Sequence, residues 1–279
     1  MKKPTFLVFM LLLLISSCIT KPYYQVYEVN SDKKMIHKQN ELIFEDDHCI
    51  VSYNLWEEKG DIGFIFYNKT DETIYLNKDK CFFILNGFAS RYFQERTYSS
   101  TSSFGVNSLN RLSASTLVQK DVYKNYAKAK QISTVASENT TSTQGYSVSY
   151  VEQRIIVVPG KTAKRISEFT VNDRLYRDCN LFKYPKSKQI NTITFNESES
   201  PIVFSNRINY SLGHTEQSIS FENTFYVSQI TNYPTKEIFD YKYEEYCGQK
   251  SVEKTKYFTE YGPDKFYIKY EKGTDSWKH

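Results

Sequence analysis

Asp46-Asp47-His48-Cys49 is the one place where this chain gathers carboxylates, an imidazole and a thiol in consecutive positions. Those groups could do nucleophilic chemistry, with the imidazole taking the proton and the thiolate attacking. The spacing argues against it. The segment enters an alternating stretch, "CIVSYNLW", and neighbours on a strand point to opposite faces, which separates Cys49 from His48. Asp47 shares the Cys49 face instead, and an acid beside a thiol disfavours the thiolate. Strand entry is the expected role. Paired carboxylates occur as Glu244-Glu245 and as Glu197 with Glu199. Glycoside hydrolysis needs two carboxyls about 5–10 Å apart across a cleft, and these fall on polar stretches that read as solvated. Trp56 and Trp277 could stack on sugars, but Trp56 continues an apolar strand and reads as core, while Trp277 lies in the polar tail "KGTDSWKH". The chain has only four histidines, His37, His48, His214 and the terminal His279. It contains no G-x-S-x-G, H-E-x-x-H, P-loop or G-x-G-x-x-G. No catalytic, cofactor-binding or metal-ligating residue is assigned, and no enzymatic activity is expected.

Cys18 stands apart from these. Lys2 and Lys3 precede a continuous apolar run, Phe6 to Ile15, which has the length of a signal-peptide core and is too short to span a bilayer. Ser16, Ser17 and Cys18 follow. An aliphatic residue, two small residues and a cysteine resemble the lipobox of bacterial lipoproteins. That resemblance implies cleavage before Cys18, diacylation of its sulfur and acylation of the new amine. Residues 1–17 would then be a signal peptide and 18–22 a lipidated tether. Several acyl chains, each contributing about 0.8 kcal/mol per buried methylene, hold far better than one. The partner so implied is a membrane, without a spanning segment. In the lipoprotein sorting rule an Asp after the cysteine retains the protein at the inner membrane. Ile19 stands there instead, as in the outer-membrane class. No acidic run follows, which leans toward the periplasmic face and leaves the surface face open.

Composition bounds the rest. Removing the signal leaves enough chain for one large β domain or two small ones. A net charge of +4 makes no electrostatic case for nucleic acid. There are 24 Tyr and 19 Phe but only 10 Gly, and aromatic residues favour strands. An AT-rich genome would inflate the same residue types, but not their alternation. Cys49, Cys81, Cys179 and Cys247 lack any C-x-x-C pairing, so zinc and redox motifs are disfavoured. In an exported protein disulfides among these four are possible, and so are four buried free thiols.

Most segments read as strands. Tyr24 to Val29 forms one, and "CIVSYNLW" alternates Val51, Tyr53 and Leu55 against Ser52 and Asn54. "GFIFY", a polar turn "NKTDE" and "TIYL" follow. "CFFIL" meets Asn86-Gly87, a strong hairpin signal, and returns as "FASRYF". "RIIVV" meets Pro159-Gly160, a type II turn pair, and returns toward "ISEFTV". This order of strands and turns, from about residue 49 to 171, is similar to small immunoglobulin-like domains found in bacterial lipoproteins. The whole chain also resembles a group of lipoproteins from Bacteroides-like bacteria, a group that carries no assigned activity.

The expected fold is therefore an all-β, immunoglobulin-like β-sandwich. A single assembly over 23–279 holds an Ig-like part at about 23–171 and added C-terminal strands at about 186–279. A long insertion interrupts it at about 97–149, opening with "TYSSTSSFG" and closing with "SENTTSTQG", both loop-like. Thr116 and Gln119 match a capping box, and Val118, Val122, Tyr126 and Ala129 recur at helical spacing, which predicts a helix near 117–136. Insertions this long are uncommon unless functional or disordered, so this is the candidate partner-facing element. Downstream, Ile202, Phe204, Ile208, Tyr210 and Leu212 share one parity, as do Ile219, Phe221, Phe225 and Val227, which predicts a hairpin of two long strands. "FYIKY" is the last expected strand.

The function expected from all this is non-enzymatic binding or assembly by a lipoprotein of the cell envelope, with an envelope protein or a glycan as partner. Two alternatives stand beside it. One is a carbohydrate-binding accessory lipoprotein, which exposed aromatics in a row would support. The other is a pilin-like subunit polymerising by strand donation. Such pilins mature by cleavage after an Arg near the first strand, and here no Arg precedes Arg91.

Overall fold

The computed structural model describes residues 21–31, 35–38, 40–105, 143–213 and 217–273. Cys18, the apolar run before it, His214, Trp277, His279 and the helix expected at 117–136 lie outside the described residues.

Strands form where alternation presents one apolar face to a core. In chain order they are β1 (Tyr23–Ser31), β2 (Ile36–Lys38), β3 (Glu41–Glu45), β4 (Cys49–Tyr53), β5 (Phe64–Asn68), β6 (Ile74–Asn77), β7 (Phe82–Leu85), β8 (Phe88–Arg91) and β9 (Thr97–Gly105). There follow β10 (Thr143–Val151), β11 (Ile155–Val158), β12 (Ala163–Ile166), β13 (Thr192–Thr194), β14 (Val203–Leu212), β15 (Ser218–Pro234), β16 (Phe239–Tyr246), β17 (Gln249–Phe258) and β18 (Lys265–Tyr270), with one short α-helix among the described residues, α1 (Thr235–Ile238). The alternation in β4 is realised as read, with Cys49, Val51 and Tyr53 buried and Ile50 and Ser52 half-buried.

Two antiparallel sheets make the body. The larger, nine-stranded sheet runs β11-β6-β14-β15-β1-β18, with β7 and β8 alongside β14 and β13 beside β15. The smaller runs β12-β5-β4-β3-β2. Their inner faces meet in one core, where Tyr27, Phe204, Phe225 and Phe266 of the first face Tyr53 and Phe66 of the second. The rings of Phe204 and Phe225 stack at 5.3 Å and those of Tyr27 and Phe266 at 4.6 Å. The fold is all-β and sandwich-like.

The C-terminal strands do more than extend an edge. β14 and β15 occupy the middle of the larger sheet and β18 flanks β1, so the chain's two ends are interleaved. β1 is paired on both sides, Tyr23 opposite Pro234 on β15 and opposite Tyr270 on β18.

The turns hold the sheets in register. Asn86 (φ 47°) and Gly87 (φ 83°) both take left-handed conformations between Leu85 and Phe88, the backbone that a two-residue hairpin requires. The Pro159-Gly160 turn differs from expectation. Lys161, not Gly160, carries the positive φ (58°), and Thr162 N donates to Pro159 O at 3.3 Å, so the turn sits one residue later than a Pro-Gly type II turn. Nor does it close a hairpin, because β11 pairs with β6 in one sheet and β12 with β5 in the other. Glycine is needed at 160 for another reason. A Cβ there would lie 2.4 Å from the Asp71 carbonyl oxygen. Asn68, fully buried, ties the same corner by donating to Glu72 O at 2.7 Å and Val158 O at 3.0 Å.

Two ribbons stand apart from the sheets. Among the described residues β9 pairs only with β10, and β16 only with β17. The first corrects the reading of "TYSSTSSFG" as loop. That stretch is a strand from Thr97 to Gly105, in register with Thr143 to Val151. Hydroxyl-rich residues signal turns only while the backbone lacks a partner, and here a second extended stretch supplies one.

Candidate functional site

At the Asp46–Cys49 turn, Asp46 Oδ1 accepts from the backbone N–H of His48 (2.8 Å) and of Cys49 (2.7 Å), and Oδ2 accepts from the Tyr210 hydroxyl (2.8 Å). Burial works against the carboxylate, but these donors hold it below the ordinary range. Cys49 is wholly buried, and burial, then the Asp46 charge, push its thiol far above its usual pKa. A thiol so placed is no nucleophile at neutral pH. The acid beside Cys49 is Asp46 rather than Asp47, because the turn folds the chain back before the strand begins. Strand entry is what this cluster does.

The four cysteines considered for disulfides are all free thiols. Cys81 is buried with its Sγ accepting from Asn209 N at 3.3 Å, and burial pushes its pKa up to about 11. Cys49 and Cys81 are thus enclosed with partners of their own, whereas Cys179 and Cys247 are exposed. Glu244 and Glu245 are exposed on β16, and Glu197 and Glu199 lie in an exposed turn. Trp56 lies beyond the end of β4 and is half-buried among Phe258, Tyr261 and Tyr267. Among the described residues, no group of three or more His, Cys, Asp and Glu could hold a metal, and no helix is long and apolar enough to cross a membrane.

The most unusual chemistry lies at the root of the β9–β10 ribbon. Arg96 stands just before β9 and Glu152 just after β10, and their backbones are joined by Glu152 N to Arg96 O at 2.8 Å. Glu152 is 8% exposed and Lys78 5%. The Glu152 carboxylate accepts from Lys78 Nζ, from Arg96 Nη2 (2.9 Å) and Nε (3.3 Å), and from the backbone N–H of Gln94 (3.1 Å) and Arg96 (3.2 Å). Glu168 completes the cluster, pairing with Arg96 and, at 3.4 Å, with Lys78. Burial alone would raise the Glu152 pKa. The bonds from Arg96 and Lys78 outweigh it and bring the carboxyl down to about 2. A buried acid with a perturbed pKa is a catalytic candidate when it faces a cleft with a lone pair to spare. Here five donors saturate it, so the cluster is a clamp. It fixes the direction in which the ribbon leaves the sandwich.

A cleft of about 440 Å³ lies between the 175–183 loop and the sheet, with Leu175, Leu181 and the half-exposed Phe182 in its walls and Gln25 and Asn232 at its floor. The floor is already paired. Gln25 donates to Asn232 Oδ1 (2.9 Å) and to Tyr176 O (3.0 Å), and Asn232 donates to Phe182 O (2.9 Å).

The clamp was missed in the sequence because its members are as far apart as Lys78 and Glu168. One signal was available. Arg96 and Glu152 are opposite charges that bracket the insertion, as the two feet of a ribbon would. No protein-family model matches the chain, and no curated protein or solved structure is significantly similar to it.

Proposed function

We propose that this chain is a membrane-anchored lipoprotein of the cell envelope, of the outer-membrane class, with a non-enzymatic binding or assembly role. Lipid on Cys18 holds it, and the β9–β10 ribbon contacts its partner. The observation that carries the reading is the clamp. A passive surface loop needs no root of four charges, two of them almost wholly buried, whereas an element that must present itself at a set angle does. Removing water from such charges is costly, and their best-attested use is to specify a geometry. The anchor rests on Ile15-Ser16-Ser17-Cys18 and the apolar run before it.

Two experiments test this. Cys18→Ala is expected to release the protein from the membrane fraction and abolish labelling by a fatty-acid analogue; unchanged labelling refutes the anchor. Replacing residues 99–147 with a short Gly/Ser linker keeps Arg96 and Glu152 in place. Chain length between fixed ends matters only logarithmically, about 0.6 kcal/mol per doubling. The deletion should therefore unfold close to the parent temperature and lose a partner captured from envelope extract. A deletion that no longer folds, or that captures the same partner, refutes the role given to the ribbon.

The carbohydrate reading has two observations in its favour, the exposed ring of Phe182 at the mouth of the cleft and the row of exposed tyrosines Tyr241, Tyr243 and Tyr246 on β16. The paired floor leaves few groups there for sugar hydroxyls. The pilin reading is not favoured, since β1 is hydrogen-bonded along both edges.

A further inference from the structure

The second ribbon, β16–β17, has two unlike faces. Residues directly opposite in an antiparallel pair share a face, and alternate residues do too. Tyr241 stands opposite Lys256, Tyr243 opposite Lys254, and Phe239 opposite Phe258. One face is therefore a ladder of aromatic rings and ammonium groups, continued beyond the register shift after Tyr243 by Glu245 opposite Lys250. Lys256 Nζ lies 3.4 Å from the Phe239 ring centroid, and Lys254 Nζ lies 5.4 Å from that of Tyr243. The opposite face carries Asp240 and Lys242, paired at 3.3 Å, and Tyr257, which donates to Glu244 at 3.0 Å. Asp240 and Glu244 on that side are met by partners of their own. Tyr241 and Tyr243 are each about half exposed, and Tyr246 near the tip is 84% exposed.

The ribbon's place matters as much as its composition. The Thr235 hydroxyl donates to the Pro22 carbonyl, and α1 leads from Thr235 directly into β16. At the root, Phe239 and Phe258 pack on Tyr24, with ring centroids at 5.2 and 5.9 Å. The chain's entry into the fold and the root of the ribbon are thus one spot. Only three residues lie between Cys18 and Pro22, a reach of at most about 14 Å. The eight residues of β16 span about 26 Å. A lipid on Cys18 holds this root near the bilayer. Glu57 and Glu58 lie near it, beside Tyr267, at the root rather than along the outer ladder.

The geometry points to the Tyr241–Tyr243–Lys254–Lys256 face as a membrane-contact surface for anionic phospholipid headgroups, which orients the sandwich on its own tether. Tyrosine partitions to the lipid–water interface, and lysine beside it is drawn to anionic lipid. The tether keeps the face at high local concentration, so weak affinity suffices. The inference rests on the lipid anchor proposed above.

The test uses the mature chain, residues 18–279, with Cys18→Ala, so that binding does not depend on the anchor. It is mixed with vesicles of phosphatidylethanolamine and phosphatidylglycerol, or of phosphatidylcholine alone, and sedimented. Binding is expected only to the anionic vesicles. Lys254→Ala/Lys256→Ala should weaken it about 25-fold, roughly fivefold per lysine, while Lys80→Ala/Lys164→Ala should not. A fluorophore on Cys247, at the ribbon's tip, in a Cys179→Ser background gives a readout without altering the ladder. Its emission should shift to the blue with anionic vesicles. Equal binding to both vesicle types, an unaffected lysine variant, an unshifted fluorophore, or retention on a soluble anionic glycan in place of vesicles overturns the proposal. The anchor is judged separately, by fatty-acid labelling of cells carrying Cys18→Ala. Loss of label there with no vesicle binding defeats this inference alone, and unchanged label there defeats the anchor on which it rests.

Discussion

The two ribbons are built alike and rooted differently. β9–β10 and β16–β17 are both two-stranded, and among the described residues each pairs with nothing else. A lone two-stranded hairpin is marginal in water, so each must borrow its order from its root. The first borrows it from charge, where Lys78 and Arg96 meet Glu152 and Glu168. The second borrows it from ring packing, where Phe239 and Phe258 lie against Tyr24, Trp56 and Tyr267. Charge fixes direction sharply but fails as a unit when one member is lost. Apolar packing is more tolerant and indifferent to acid. The ribbon proposed to meet a protein partner has the directional root, and the one proposed to lie on lipid has the adaptable root.

The largest expected effect is at the charged root. Glu152→Ala leaves Lys78 and Arg96 short of a counter-ion in a buried site, a loss of about 3–5 kcal/mol. Chemical denaturation should show it, and limited proteolysis should then cut in β9 and β10 before the sandwich. A variant as stable as the parent would mean that charge does not hold this ribbon.

Acid should separate the roots next. Because Glu152 titrates at about 2 when folded, below the ordinary carboxyl value, the folded state binds its proton less readily than the unfolded chain. Its contribution is therefore complete above about pH 4.5 and is lost as pH falls toward 2, amounting to roughly 3 kcal/mol. Hydrogen exchange compared at pH 5 and pH 3 should show β9 and β10 losing protection first, with the root of β16 and β17 unchanged. Equal loss at both roots would erase the distinction.

The smallest effect is at the aromatic root. Phe258 is only half-buried, so Phe258→Ala should cost about 2 kcal/mol, below the 3–5 of a fully buried ring. Exchange should rise in β16 and β17 alone. A global loss would show that the second ribbon is part of the main core.

Legibility in the sequence followed the range of the interaction. β4 was readable because alternation is written in adjacent residues, and the β7–β8 hairpin because Asn86-Gly87 can adopt what a tight turn demands. The hairpin of β14 and β15 was readable by parity, with one omission. Asn206 and Asn223 fall among the apolar positions and face each other in register, both wholly buried. Only tertiary contacts explain them. Asn206 accepts from the Tyr92 hydroxyl (2.7 Å) and donates to Ile62 O (2.9 Å), and Asn223 donates to the Tyr53 hydroxyl (2.9 Å). Among the described residues the Asn223 Oδ1 has no partner, a cost carried within the core. The hydroxyl-rich start of the insertion was misread because side-chain type there says nothing about a partner strand nearly forty residues away.

By itself, then, the sequence determined the class. Period-two alternation, abundant aromatics and local turn pairs leave a chain little choice but antiparallel strands around a shared core, since each strand buries one face and each turn reverses it. The tertiary structure alone decided which strands become neighbours, that the C-terminal pair lies at the centre of the larger sheet, and that Lys78, Arg96, Glu152 and Glu168 meet at the foot of one ribbon while Pro22, leading into β1, lies at the foot of the other. Those are contacts between residues far apart in the chain, set by how two sheets pack, and no local pattern encodes them.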